Sequence, residues 1–344
     1  MKLGITGLPG CGKSTIFEAL TRNFQDAQNK SEDRIGTIRV PDVRVDRLSR
    51  IYTPQKTIYA QVEYFLPAAP SRKGDTVNDQ PVYNRIRDCH ALIHVLRNFT
   101  GFDGAPPDPR ADFKQLEQEM ILSDLITVEK RLERLGMDQK RGKKPDPEEK
   151  ALLTECRVRL ENEEPIRNYP EAANAPLLKG FAFVSAKPLL VLFNNPDEDD
   201  GAPDPRRFGD GKDFIVVRGK LEHELAQMSS KEAQAFMAEY DITESAMDRA
   251  IHKSYELLGM ISFFTVGQDE VRAWTIKSGT PAREAAGTIH SDMKKGFIRA
   301  EVLAYEDLMT AGSYHEARKQ GMTRLEGKTY EIKDGDIITF RFNV

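Results

Sequence analysis

The chain has 344 residues, 39 % of them hydrophobic and 30 % charged, long enough for two or more domains and ordinary for a folded, water-exposed protein. With 50 Lys and Arg against 54 Asp and Glu the formal charge is −4, so no global positive field points to nucleic acid, and only a local basic patch stays open. Three widely spaced cysteines, Cys11, Cys89 and Cys156, give neither a disulfide framework nor zinc-ligand spacing. There is no signal peptide and no apolar run approaching about 18 residues, which predicts a cytoplasmic protein without a membrane span.

The first element is the apolar stretch LGIT, a strand, followed by the loop GLPGCGKST and then by STIFEALTRNF, where Ile16, Leu20 and Phe24 recur at helical spacing. Gly7, Gly12, Lys13 and Ser14 fit G-x-x-x-x-G-K-[ST] in the strand–loop–helix context that this phosphate-binding motif requires. Glycines let the backbone approach a phosphate without a Cβ, and the free N–H groups of the loop and helix start point at the anion. Lys13 is placed to reach the β- and γ-phosphates, and the Ser14 hydroxyl to take a position on Mg²⁺. Gly7, Pro9, Gly10, Cys11, Gly12, Lys13, Ser14 and Thr15 are therefore the candidate nucleotide contacts, with Cys11 read as a filler of the loop. The bland alternative is a glycine turn with a solvated lysine.

Further along, IYAQVEYFL is strand-like, and NRIRDCHALIHVLRNF is a helix end running into a buried strand, ALIHVL. This alternation argues for a parallel sheet covered by helices. The Pro-, Gly- and Asp-rich GFDGAPPDPRAD is a break. Ile121, Leu125, Val128, Leu132 and Leu135 then form a seam at spacings 4, 3, 4 and 3, interrupted by GMDQKRGKKPDP and resumed by Leu153, Cys156 and Leu160. That predicts an antiparallel helical hairpin whose tip carries Lys140, Arg141, Lys143 and Lys144, either a solvated charge run or a contact for RNA phosphates. KPLLVLFNN and DFIVV return to the sheet, and EAQAFMAEYDI and ESAMDRAIHKSYELLGM are helical. From about residue 272 a strand, a helix starting at Thr280-Pro281, the strand FIRAEVLA and a closing hairpin around a DG turn predict a small α+β domain, with Ile338, Phe340 and Phe342 alternating against Thr339 and Arg341.

Taken together, and most specifically through EVRAWTIKSGT, AAGTIH, KGFIRAEV, AYEDL and EGKTYEIKDGDIITFRFNV, the chain resembles the YchF family, a branch of the Obg-like translation-factor GTPases, over essentially its whole length. The resemblance implies an α/β fold: a P-loop NTPase G domain (1–110 and 171–271) with an inserted antiparallel coiled-coil hairpin (111–170), and a C-terminal β-grasp TGS domain (272–344). It also implies binding and hydrolysis of GTP or ATP with Mg²⁺, and association with the ribosome or RNA through the hairpin tip and TGS domain.

The departures from the family bear on catalysis. After VEYF the family carries Asp-x-x-Gly and a glycine-rich switch, whereas this chain reads LPAAPSRKGDTVNDQ, with Leu66 in place of the Mg²⁺-linked Asp and Ala69 in place of the Gly at the γ-phosphate. A leucine has no oxygen to orient a metal-bound water, an alanine adds a Cβ, and Pro67 and Pro70 remove N–H donors. Thr37, in RIGTIRVPD, is the candidate switch threonine for Mg²⁺, with a plain strand residue as the other reading. His94 is the candidate catalytic group near the γ-phosphate, or else a satisfied core histidine. For the base, Asn194 and Asp197 give Asn-x-x-Asp, which suits guanine; a shift of one gives Asn195 and Glu198, the spelling of ATP-preferring relatives, and Arg218-Gly219-Lys220 stands where small residues are expected. Three functions result: a nucleotide binder with weak or absent hydrolysis, an active NTPase using another carboxylate (Asp75, Asp79 or Asp88), or an adaptor with a silent G domain. The first is favoured, because the phosphate loop is intact and the switch is not.

Overall fold

The computed structural model describes residues 1–24, 32–68, 80–101, 104–204, 208, 213–240, 242 and 244–343. The chain runs β1 (Lys2–Thr6), α1 (Lys13–Thr21), β2 (Arg34–Arg39), α2 (Val43–Tyr52), β3 (Lys56–Ile58), β4 (Gln61–Leu66), α3 (Gln80–Ile86), β5 (Ala91–Arg97), α4 (Pro109–Lys140), α5 (Pro147–Glu161), α6 (Pro170–Ala173), β6 (Leu189–Asn194), β7 (Asp213–Val217), α7 (Gly219–Gln227), α8 (Ser230–Glu239) and α9 (Ala246–Leu257). It continues through β8 (Met260–Val266), β9 (Glu270–Lys277), α10 (Ala282–Ile289), α11 (Ser291–Lys295), β10 (Phe297–Ala304), α12 (Tyr305–Ala311), α13 (Tyr314–Lys319), β11 (Arg324–Glu326) and β12 (Asp336–Phe342). Two compact units result: Met1–Thr37 with Glu63–Ala250, and Ile38–Val62 with Ile251–Val344. The fold class is the mixed α/β architecture expected from the sequence. Among the described residues no helix is long and apolar enough to cross a membrane.

The first sheet has the order β2-β4-β1-β5-β6-β7, and β4, β1, β5, β6 and β7 are mutually parallel. Its central strands are buried runs, as parallel strands covered on both faces must be. Because they are parallel, the segments that leave their C-terminal ends gather on one edge: residues 7–12 after β1, 98–101 and 104–108 after β5, and 195–201 after β6.

The hairpin forms from α4 and α5. Each begins with an Asp-Pro pair: Asp108 accepts from the Ala111 N–H, Asp146 accepts from Glu148 and Glu149 N–H, and Pro109 and Pro147 occupy first-turn positions where an N–H has no partner to lose. The seam residues Ile121, Val128, Leu135, Leu153, Cys156 and Leu160 are buried in one apolar cluster, with Leu125 and Leu132 packed beside it. Arg131 clamps Glu149 with two charge-assisted bonds, 2.8 and 2.9 Å.

At its root the hairpin is fixed by a buried carboxyl group on α4, whose pKa burial raises. Asp124 of α4 has a fully buried side chain; its Oδ1 accepts from the Val184 N–H (3.1 Å) and Arg87 Nη1 (3.1 Å), and its Oδ2 from the Ser185 N–H (2.7 Å). Arg87 also donates to the carbonyls of Phe181 and Ala182 and to Thr127 Oγ1. A buried carboxylate is tolerated only with such a full set of donors.

The second unit carries a sheet of order β11-β10-β12-β8-β9-β3. Phe263, Ile276, Ala282, Ala285, Ala300, Val302, Ile332 and Ile338 make its core, so α10 packs on one face of the sheet. The closing hairpin expected around Asp334-Gly335 does not form. β12 pairs antiparallel with β10 and parallel with β8, residues 330–333 form no strand, and Asp334 instead accepts from the Ser262 N–H and from Arg44. Residues 38–62 group with this unit: β3 extends its sheet by pairing parallel with β9, and Arg44 of α2 donates to Asp334.

Removing the buried charge should separate root from tip. Asp124→Ala leaves Arg87 and two N–H groups unanswered and is expected to lower stability by about 3–5 kcal/mol, whereas Lys143→Ala at the exposed tip should cost under about 1 kcal/mol. Denaturant unfolding followed by circular dichroism measures both, and equal costs would contradict the anchoring role.

Candidate nucleotide site

β1 ends at Thr6, and the loop returns to helix at Lys13. Gly7 has no room for a side chain, since a Cβ would stand 2.6 Å from both Cys11 Sγ and the Val95 carbonyl oxygen. At Gly12, in the left-handed region at φ 90°, a Cβ would stand 2.2 Å from Asn194 Nδ2. Within the loop the Cys11 N–H donates to the Leu8 carbonyl (3.3 Å), and Lys13 Nζ reaches the same oxygen (3.2 Å). The lysine thus lies across the loop it belongs to. Pro9 and Gly10 are exposed, and Ser14 and Thr15 are half-buried in the first turn of α1. Cys11 is buried with its sulfur against Gly7, and burial holds its thiol above the ordinary range.

The base-side candidates converge on the same place. Asn194 closes β6 and is buried; its Nδ2 donates to the Cys11 carbonyl (2.9 Å), and its Oδ1 accepts from the Gly219 N–H (3.0 Å). Gly219 opens α7, where a Cβ would stand 2.4 Å from that same Oδ1. Asp197 Oδ1 accepts from the Leu221 N–H (3.1 Å), and Lys220 Nζ stands 3.5 Å from Oδ2. Asn195 is engaged by its own loop and by the one after β5: its Oδ1 accepts from Asn98 Nδ2 (2.9 Å), and its Nδ2 donates to the Gly201 carbonyl (2.8 Å). Glu198 is exposed.

Two candidates lie elsewhere. His94 is fully buried in β5, in register with Thr6, with Nδ1 2.5 Å from Thr6 Oγ1 and Nε2 3.7 Å from Glu117 Oε1 on α4. It faces a carboxylate beneath the loop. Thr37 is an exposed residue of β2, which is separated from β1 by β4. Leu66 ends β4 with its side chain buried. Asp88 lies three residues before the start of β5, at the sheet edge opposite the loop, while Ala69, Pro70, Asp75 and Asp79 lie outside the described residues.

Sequence reasoning missed three groups. Asp33 accepts from the Ala68 N–H (2.8 Å) and from Arg85 (3.0 Å), which places a carboxylate just past the end of β4. Glu117 is buried and accepts from Arg167 Nη1 (2.6 Å); burial pushes its carboxyl up, but the nearby His94 ring, 3.7 Å away, and the charge of Arg167 outweigh that and bring it down to about 2. Gly219 was noted only as part of an altered loop. Its signal was a glycine opening a helix directly after a strand.

The family model YchF-GTPase_C, described as a protein of unknown function (DUF933), matches residues 260–343. Ribosome-binding ATPase YchF of Bacillus subtilis is 36 % identical over 362 residues, covering 99 % of each chain. Ribosome-binding ATPase YchF of Escherichia coli O157:H7 is 35 % identical over 361 residues, covering all of this chain and 99 % of its own. The structure of the Schizosaccharomyces pombe YchF GTPase matches with a TM-score of 0.83 at 27 % identity, over 99 % of this chain and 97 % of that one. With identity above 30 % to full-length relatives and a shared fold from end to end, this chain belongs to the YchF family.

Proposed function

We propose that this chain binds a purine nucleoside triphosphate, GTP or ATP, at loop 7–15, associates with the ribosome, and hydrolyses the nucleotide slowly or not at all. The carrying observation is the Asn194 carboxamide, which joins the loop carbonyl of Cys11 to the N–H of Gly219 and so holds the phosphate side and the base side as one assembly. The relatives' names, ribosome-binding ATPase and GTPase, support the nucleotide and ribosome parts of this reading; the slow hydrolysis rests on the altered second switch.

Of the two registers for the base, Asn194 with Asp197 is favoured by where the amides are engaged: Asn194 bridges the loop 7–12 and the start of α7, whereas Asn195 is held by Asn98 and Gly201, away from that loop. A carboxylate at 197 can accept two N–H groups from guanine, whereas adenine would present an acceptor. Mg²⁺ fits as the partner of the nucleotide's own phosphates, with the Ser14 hydroxyl as the one loop ligand and no oxygen from Leu66. Phosphoryl transfer relies almost entirely on positioning and charge neutralisation, so this loss bears on turnover more than on binding. Partner contact is assigned to the hairpin tip, where Lys140, Arg141, Lys143 and Lys144 are exposed around Gly142, and to the C-terminal unit; tip lysines and arginines suit RNA phosphates. One observation favours an active enzyme instead: Asp33 puts a carboxylate beside Ala68, close to where the missing Asp would stand.

Calorimetric titration with Mg·GTP and Mg·ATP, followed by phosphate release on the same sample, tests the proposal. Binding with negligible release is expected, and the tighter base identifies the specificity. Robust release that Asp33→Asn abolishes would replace it with the active reading. Lys13→Ala should weaken binding about 100-fold or more, through loss of charge-assisted bonds to phosphate; unchanged affinity would remove the loop from the site.

Asn194→Ala leaves the Cys11 carbonyl and the Gly219 N–H unanswered and should weaken binding about tenfold. Leu66→Asp with Ala69→Gly should raise the release rate by about tenfold or more if the second switch is the lesion; no gain would place the defect elsewhere.

A further inference from the structure

Two strands beneath the phosphate loop, KLGIT and ALIHVLR, are almost wholly apolar, yet each buries one polar side chain: Thr6 and His94. Buried polar groups need partners, and these two have each other. Thr6 Oγ1 lies within reach of two acceptors, His94 Nδ1 at 2.5 Å and the Ile93 carbonyl at 3.2 Å, but it carries a single hydrogen. Which acceptor receives it depends on the imidazole. The other ring nitrogen, Nε2, faces Glu117 Oε1 of α4, whose Oε2 is bound by Arg167 Nη1, while Arg167 Nε donates to the Lys187 carbonyl. An ionised carboxylate on that side favours the tautomer with hydrogen on Nε2. Nδ1 is then an acceptor and takes the Thr6 hydrogen, which withdraws it from Ile93.

We infer that Glu117 and His94 are positioning residues for the phosphate loop: the carboxylate sets the imidazole tautomer, and the imidazole sets Thr6, the residue from which the loop departs at Gly7. The same strand acts on the loop a second way, because Val95, next to His94, confines Gly7 through its carbonyl. Glu117 belongs to α4, one continuous helix from Pro109 to Lys140, so the relay starts on the element that carries the basic tip. A load on the hairpin therefore has a physical route to the nucleotide. The inference rests on the nucleotide-binding reading above and concerns its regulation.

The test is a double-mutant cycle in the full chain. Mg·GTP and Mg·ATP are titrated into the wild type, Thr6→Val, Glu117→Gln and the double variant, with melting temperatures measured in parallel. Each single change should weaken binding threefold to tenfold, and the double should depart from the product of the singles by threefold or more. Additivity within a factor of two, or lowered melting temperatures with unchanged affinity, would overturn the inference and leave the pair merely structural. If Glu117→Gln fails to fold, Glu117→Asp, which keeps the charge but draws it back from His94, takes its place. Imidazole ¹⁵N spectra of the nucleotide-free protein, with His94 assigned through His94→Gln, give an arm independent of nucleotide. An Nε2–H tautomer in the wild type that changes in Glu117→Gln supports the relay, and an Nδ1–H tautomer overturns it. A wild type that binds neither nucleotide defeats the functional proposal itself, which the spectra then distinguish from failure of the relay.

Discussion

The Asn194 carboxamide is the contact on which the candidate site depends. It sits at the end of a buried strand with both polar ends used, one on the phosphate loop and one on the start of α7. Its neighbours are shaped around it: at Gly12 and at Gly219 a Cβ would fall on the Asn194 side chain, at 2.2 and 2.4 Å. The two glycines therefore serve one asparagine. From sequence, Gly12 has its explanation in an approaching phosphate; in the fold, an amide from a strand far along the chain already makes the close approach. Both demands exclude a side chain, so a glycine here is doubly required.

The hairpin is joined to the sheet by a different means. Glu117 and Asp124 lie two turns apart on α4, and both carboxylates are buried, one against Arg167 and His94, the other against Arg87 and two backbone N–H groups. Apolar packing supplies the seam farther out, where Val128, Leu135 and Leu153 are buried. An apolar root would pack in several rotations about the helix axis. Two carboxylates with directional donors accept only one, which fixes where a helix of this length points its tip.

What was legible in the sequence follows from how local each signal is. The strand–loop–helix around residues 7–15 and the hairpin seam are read from neighbours in sequence, and they form where expected. Asn194 and Asp197 were legible as a spacing, although the partners of Asn194, Cys11 and Gly219, were not. Glu117 and Asp124 were illegible because charged side chains default to the surface, and only the fold shows donors waiting for them. His94 could be read as a core residue or as a catalytic one; its burial against Glu117 is decided by the register of β5 on β1 and by α4, neither of which a single strand reveals.

Least legible was the path of residues 38–62. In sequence they lie between β2 and β4, and everything local assigns them to the first domain. β3, however, pairs with β9, Gln55 donates to the Gln268 carbonyl, and Arg44 binds Asp334, so the segment groups with residues 251–344. The backbone therefore passes from one unit to the other after Thr37, returns after Val62 and leaves again after Ala250. A strand bonded at the edge of the second unit's sheet, with a helix held by an ion pair, makes this insertion part of that unit's stability rather than a passing loop. Cutting the chain near residue 250 would consequently not separate two intact domains: it would leave α2 and β3 without Asp334 and β9, and make the 8-residue β9 the sheet edge in place of the 3-residue β3, a longer edge of the kind that invites association between copies. In this chain the boundary between the units is a property of the fold, and no single position in the sequence marks it.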